Sequence, residues 1–136
     1  MFGSGHSKPQ NRIDSLIGTG TRIVGDIHFT GGLRVDGEIE GSIIATPGKP
    51  STLVLSEDAR VNGGIDVTHL VINGEVNGPV NVAEYLELQS KSKVTGDVHY
   101  KTLEIQLGAI VEGKLIHLAE NTEKAVAFKL GNPEPV

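Results

Sequence analysis

A triplet of the form Leu-x-aliphatic returns at a nearly fixed period along this chain. It stands at Leu33-Arg34-Val35, Leu53-Val54-Leu55, Leu70-Val71-Ile72, Leu86-Glu87-Leu88 and Leu103-Glu104-Ile105, at intervals of 20, 17, 16 and 17 residues. Leu16-Ile17-Gly18 lies 17 residues before the first triplet and reads as an imperfect opening copy. A second signature, aliphatic-x-Gly-x-aliphatic, keeps the same period. Its copies are centred on Gly25, Gly41, Gly63, Gly78, Gly96 and Gly113, at intervals of 16, 22, 15, 18 and 17 residues. A repeat of this length marks architectures in which each unit buries its apolar face only by stacking on its neighbours.

Strand parity gives the repeat its physical meaning. Alternate residues of a strand face opposite sides, so Leu33 and Val35 point one way and Arg34 the other. Stacking the copies predicts one internal ladder of Leu16, Leu33, Leu53, Leu70, Leu86 and Leu103. The aliphatics flanking each glycine predict a second, which Phe29, Val67, Val82 and Tyr100 extend. Glycine between two inward aliphatics suits a tight bend or a close backbone approach. The single long interval holds Thr46-Pro47-Gly48-Lys49-Pro50-Ser51, a turn-rich insertion expected in a surface loop.

Helical repeats are excluded by the glycine density. A β-sandwich would need the spacing to be coincidental. A left-handed hexapeptide helix has coils of similar length, but its aliphatics recur at every sixth residue, and Val76 and Val80 fail that count against Ile72. The favoured fold is therefore all-β: a single-domain right-handed parallel β-helix of about six coils over residues 15–118, with the left-handed helix as the runner-up on the residues alone. Flexible tails at 1–14 and 119–136 are expected to flank it.

Composition agrees with a turn-rich β fold. Aromatics are only 4% of the 136 residues, with no Trp, while there are 18 glycines. The absence of cysteine removes disulfides, thiolate metal sites and thiol catalysis. A net charge of −5 argues against nucleic acid as a partner. No apolar run is long enough to span a bilayer, and the first ten residues lack the apolar core of a secretory signal. A cytoplasmic location is the expectation.

Three stretches carry a resemblance to a known family. They are the repeated aliphatic-x-Gly-x-aliphatic copies, the opening Ile17-Gly18-x-Gly20-Thr21-x-Ile23-x-Gly25-Asp26-Ile27, and the run Leu33-Arg34-Val35-Asp36-Gly37-Glu38-Ile39-Glu40-Gly41. Together they resemble the bactofilins, bacterial cytoskeletal proteins with a short right-handed β-helix. The resemblance implies a nucleotide-independent, non-polar filament, peripheral to the inner membrane, that serves as a platform for cell-wall and morphogenetic proteins. It also implies a membrane-targeting N-terminus, here Met1, Phe2, Lys8 and Arg12, with inner-membrane lipid as its partner. The family often carries an aromatic in the last coil where this chain has Val111.

Assembly follows from the fold as well as from the resemblance. A β-helix leaves an unpaired strand edge at each terminal coil, and such edges template further strands unless capped. The first coil (Leu16, Ile17, Ile23, Ile27) and the last (Leu103, Ile105, Val111, Leu115) are the expected polymerisation surfaces, with a second copy as partner. Like-with-like contacts at both ends would give a non-polar rod. The stretch 123–130 reads either as a short capping element or as part of a mobile tail.

No catalytic, cofactor or metal site is expected. His28 and His99 share a repeat position but stand four coils apart, roughly 19 Å at one strand spacing per coil, too far to share a metal. His99 and His117 lie on successive coils one position out of phase, and all five histidines read as surface groups. Gly18-Thr19-Gly20 and Gly31-Gly32 lack the strand-loop-helix setting of a phosphate site. Two other functions stay open on the residues alone: a hexapeptide-type acyltransferase or carbonic anhydrase with histidines converging between subunits, and a β-helical adaptor that binds partners without polymerising.

Overall fold

The computed structural model describes residues 12–119. Met1, Phe2, Lys8 and the 123–130 stretch lie outside the described residues. The chain winds through six coils, each crossing three strand columns in the same order. The first coil carries β1 (Ser15–Ile17), β2 (Arg22–Val24) and β3 (Ile27–Phe29), the second β4 (Gly31–Val35), β5 (Glu38–Glu40) and β6 (Ile43–Ala45). In the third, β7 (Ser51–Leu55) and β8 (Arg60–Asn62) lead into β9 (Ile65–Ile72), which rounds a corner into the fourth. There β10 (Glu75–Asn77) leads into β11 (Val80–Leu88), which rounds the same corner into the fifth. The rest are β12 (Lys93–Thr95), β13 (Val98–Tyr100), β14 (Thr102–Ile105), β15 (Ile110–Glu112) and β16 (Leu115–His117).

Every strand pairing is parallel, joining a residue to its equivalent one coil on. The second strand of each coil stacks into a six-stranded sheet running β2-β5-β8-β10-β12-β15. The first and third strands form the other two faces, merged into one ten-stranded sheet because β9 and β11 continue round their shared corner. The fold is thus the expected β-solenoid.

Its core is the set of inward columns. The six-stranded sheet contributes Ile23, Ile39, Val61, Val76, Val94 and Val111. The first face contributes the Leu33/Val35, Leu53/Leu55, Leu70/Ile72 and Leu86/Leu88 pairs, and the third Ile43, Ile65 with Val67, Val80 with Val82, and Val98. All of these in coils two to five are buried. Full burial of one such side chain is worth about 1.5–3 kcal/mol, so stability resides in the middle coils.

The glycine column explains itself at Gly41 and Gly63. A β-carbon on Gly63 would press on the carbonyl of Gly41, and one on Gly41 on that of Gly25. Successive coils therefore touch backbone to backbone at this corner, which only glycine permits. The residues after Gly25, Gly41 and Gly96 tie the corner to the next coil. Asp26 Oδ1 accepts from the Ser42 N–H (2.9 Å), Ser42 Oγ from the Gly64 N–H (3.1 Å) and Asp97 Oδ1 from the Lys114 N–H (3.0 Å). Gly64 has no side chain to offer, and the residue stacked on it, Pro79, has no N–H to satisfy.

Three expectations need correction. The opening triplet is one residue out of phase: Ser15 pairs with Leu33, Leu16 with Arg34 and Ile17 with Val35. Leu16 thus faces outward and is 60% exposed, because a one-residue shift exchanges the two faces of a strand. Asp14 pins this register, its N–H donating to the Gly32 carbonyl and its carboxylate accepting the Gly32 N–H, both at 2.9 Å. The insertion does form an exposed loop over 46–50, but Ser51 begins β7 and is buried. His69 is buried too, not a surface group. Its Nδ1 lies 3.0 Å from Thr68 Oγ1 and 3.3 Å from the Ser51 carbonyl, inside a corner where Ser51 and Thr68 bond to each other's backbone.

Candidate functional site

The two terminal coils differ from the rest of the rod in what they leave exposed. Among the described residues each end strand has a partner on one side only: β1, β2 and β3 pair with β4, β5 and β6, and β14, β15 and β16 with β11, β12 and β13. Inward side chains there lie under one coil, not between two. Ile105 is 48% and Leu115 42% exposed, whereas Leu88 and Val98, stacked beneath them, are fully buried. Leu103, Val111, Ile17, Ile23 and Ile27 are half-buried inward residues. Of the residues expected on these surfaces, seven lie on inward columns; Leu16 does not.

Among the described residues the exposed large apolar groups are Ile13, Leu16, Val24, Ile105, Leu107, Ile110 and Leu115, all on the terminal coils or directly before the first. Four of these, Ile13, Val24, Leu107 and Ile110, were not anticipated from the sequence. Val24 (72% exposed) and Ile110 (49%) face outward on the six-stranded sheet, and Leu107 (89%) tips the turn before β15. The signal for Val24 lay in its repeat position, which reads Val24, Glu40, Asn62, Asn77, Thr95 and Glu112, apolar in the first copy alone. Ile110 is likewise the lone apolar residue among Arg22, Glu38, Arg60, Glu75, Lys93 and Ile110.

Charge is distributed along the sides. Arg12 Nε donates to Asp14 Oδ1 (2.9 Å). The Gly32 N–H holds the Asp14 carboxyl below its ordinary value against the opposing effect of desolvation, with the Arg12 guanidinium helping. Glu40 is lowered by the hydrogen bond from Asn62 and by its contact with Glu38, with Arg22 helping. On the first face Glu87 and Glu104 stack in register. The Tyr85 hydroxyl donates to Glu104 Oε1 (2.5 Å), and that bond, with partial burial, pushes its pKa up to about 12. His28 and His99 do share one column, four steps apart through Ile44, Asp66 and Asn81. Tyr100 and His117 stack with ring centroids 5.5 Å apart. Among the described residues no group of His, Cys, Asp or Glu could hold a metal ion.

Comparison with known proteins fits this geometry. The model of the polymer-forming cytoskeletal family named Bactofilin matches residues 15–116. The curated protein "Bactofilin BacP" of Myxococcus xanthus (strain DK1622) is 25% identical over 109 residues, which cover 80% of this chain and 44% of BacP. The chain thus spans less than half the length of that relative. Among solved structures, a cryo-EM reconstruction of Thermus thermophilus bactofilin double helical filaments aligns with a TM-score of 0.62 and 25% identity, covering 73% of this chain and 96% of that one.

Proposed function

The chain belongs to the bactofilin family, and we propose that it assembles end to end, without nucleotide, into non-polar filaments on the inner membrane that gather cell-shape and cell-wall proteins. The observation that carries this reading is the exposure of inward apolar side chains at both ends of an otherwise closed core, above all Ile105 and Leu115. Each end adds a row of strand edges that, among the described residues, have a partner on one side only. A coil of a second copy would supply both missing partners at once, hydrogen bonds along the edge and apolar contacts within. The likeness to the T. thermophilus filament former supports the same reading. Gly18 and Thr21 close an ordinary turn, the Thr21 N–H donating to the Gly18 carbonyl at 3.1 Å. That turn joins two strands.

An arginine in an inward column at one end tests the proposal. Val111→Arg and Leu115→Arg each place a charge where a second copy must dry the contact, at a cost of several kcal/mol. Negative-stain microscopy and sedimentation without nucleotide should show long filaments for the wild type. The variants should give only monomers, or dimers joined through the intact first coil. Undiminished filaments in both variants would reject the end-to-end contact. A strictly monomeric wild type would favour the non-polymerising adaptor.

A further inference from the structure

The outer side of the six-stranded sheet carries an ordered pattern of charge. One outward column reads, coil by coil, Arg22, Glu38, Arg60, Glu75, Lys93, Ile110. The sign alternates at every step until the last. The neighbouring column reads Val24, Glu40, Asn62, Asn77, Thr95, Glu112. The 46–50 loop springs from the opposite corner, between β6 and β7, and leaves this side clear.

The alternation is loosely used within one chain. Arg22 stands 3.9 Å from Glu38 and 3.8 Å from Glu40, and Arg60 3.6 Å from Glu75. Lys93 is exposed and has no ion pair among the described residues. Nor does the fold demand alternation, since Glu87 and Glu104 stack like on like on the first face.

From this pattern we infer that the six-stranded sheet is a lateral docking face for a second, antiparallel copy of this chain. The geometry is that of a two-fold axis lying between two rods and perpendicular to both. Such an axis keeps each column opposite itself and sets coil one against coil six, two against five and three against four. Glu38 then meets Lys93 of the second copy, and Arg60 meets its Glu75, each pair occurring twice. In the neighbouring column Asn62 faces Asn77 and Glu40 faces Thr95, both able to hydrogen-bond. Arg22 and Ile110 meet at the rims, where the arginine stem can lie on the isoleucine. A parallel two-fold, with its axis along the rods, sets each column against the other instead: Glu38 then faces Glu40 of the second copy, and no charge meets an opposite one, so that arrangement is rejected.

Charge balance favours a second copy over a polyanion or an anionic surface. The two columns together hold three cations (Arg22, Arg60, Lys93) against four carboxylates (Glu38, Glu40, Glu75, Glu112), so the face has no large field of either sign. Its lateral setting rests on the end-to-end reading: a non-polar filament carries subunits in both orientations, so two filaments side by side always offer antiparallel neighbours. Individual exposed pairs are weak, but their repetition along a filament multiplies them.

The test is a charge swap on the full-length chain, read as the paired share of filament length in negative stain at low ionic strength. Lys93→Glu should cut that share at least tenfold while leaving single filaments. The double variant Glu38→Lys/Lys93→Glu should restore it, because the swapped charges again meet opposites. Within one chain the same double variant is worse than either single: Glu38→Lys puts a cation between Arg22 and Arg60, and Lys93→Glu puts a carboxylate beside Glu75. Restored pairing therefore separates docking from an internal charge ladder. Salt near 1 M should dissolve pairs and spare single filaments, since it shortens the screening length to about 3 Å. Wild-type-like pairing in Lys93→Glu, or no recovery in the double variant, overturns the inference. If the wild type forms no filaments at all, the end-to-end reading fails on its own, and sedimentation then judges this face. A dimer abolished by Lys93→Glu and recovered by the swap supports it; a monomer overturns it.

Discussion

At Gly63 a single added carbon would collide with the backbone of the coil below, at the Gly41 carbonyl. Neither neighbour is a side chain that can rotate away, so the coils must part. Gly63→Ala should therefore destabilise by about 1–3 kcal/mol, the usual range for overpacking, lowering the melting midpoint by roughly 4–8 °C per kcal/mol in a domain of this size. Gly18→Ala is the control, since nothing lies within 4 Å of its added carbon; its midpoint should stay within an equivalent of about 0.5 kcal/mol. Both are best melted in a Val111→Arg background at one fixed protein concentration, so that filament formation does not enter the midpoint. The importance of these glycines was legible as a repeat. That they touch the previous coil, and that Gly64 and Pro79 offset each other's missing groups, depends on stacking and is visible only once equivalent residues lie on one another.

The first strand shows how an element can be predicted and its phase missed. Leu16-Ile17 offers two adjacent aliphatics, and period-2 parity alone cannot say which enters the core. The answer comes from outside the element, where Asp14 clamps Gly32 and sets Ile17, not Leu16, on the inward column. This clamp should respond to acid. The folded pKa of Asp14 is depressed, so the contact is present above the ordinary value of 3.8 and is lost as pH falls through the lower folded value. Hydrogen exchange at the Gly32 amide, corrected for its intrinsic pH dependence, should accelerate in that window relative to amides of β8. Asp14→Asn, which keeps an acceptor oxygen but cannot titrate, should flatten the response. An unchanged Gly32 profile in the wild type would mean that the backbone pairing alone holds β1.

Across the whole molecule, the proposed membrane attachment should depend on filament length. Full burial of Phe2 would supply about 1.5–3 kcal/mol, and each basic residue near anionic lipid about 1 kcal/mol, too little to hold one copy. Arg12 already spends part of its charge on Asp14. In co-sedimentation with anionic vesicles, wild-type filaments should bind at least tenfold more tightly than Val111→Arg, through avidity. Deleting residues 1–5 should release the filaments as well. Equal binding by the assembly-blocked variant would refute the coupling. The repeat, its period, the inward columns of coils two to five and the site of the insertion were all written in the sequence, because strand parity and stacking turn a periodic pattern directly into a core. Even the apolar oddities Val24 and Ile110 stood out against their own columns. What only the tertiary structure decided were the phase of the first strand, the burial of His69 and the pairing of charges between coils. Each depends on a contact between coils, roughly one period apart in sequence, and no local pattern of residues specifies which partner a given atom will meet there.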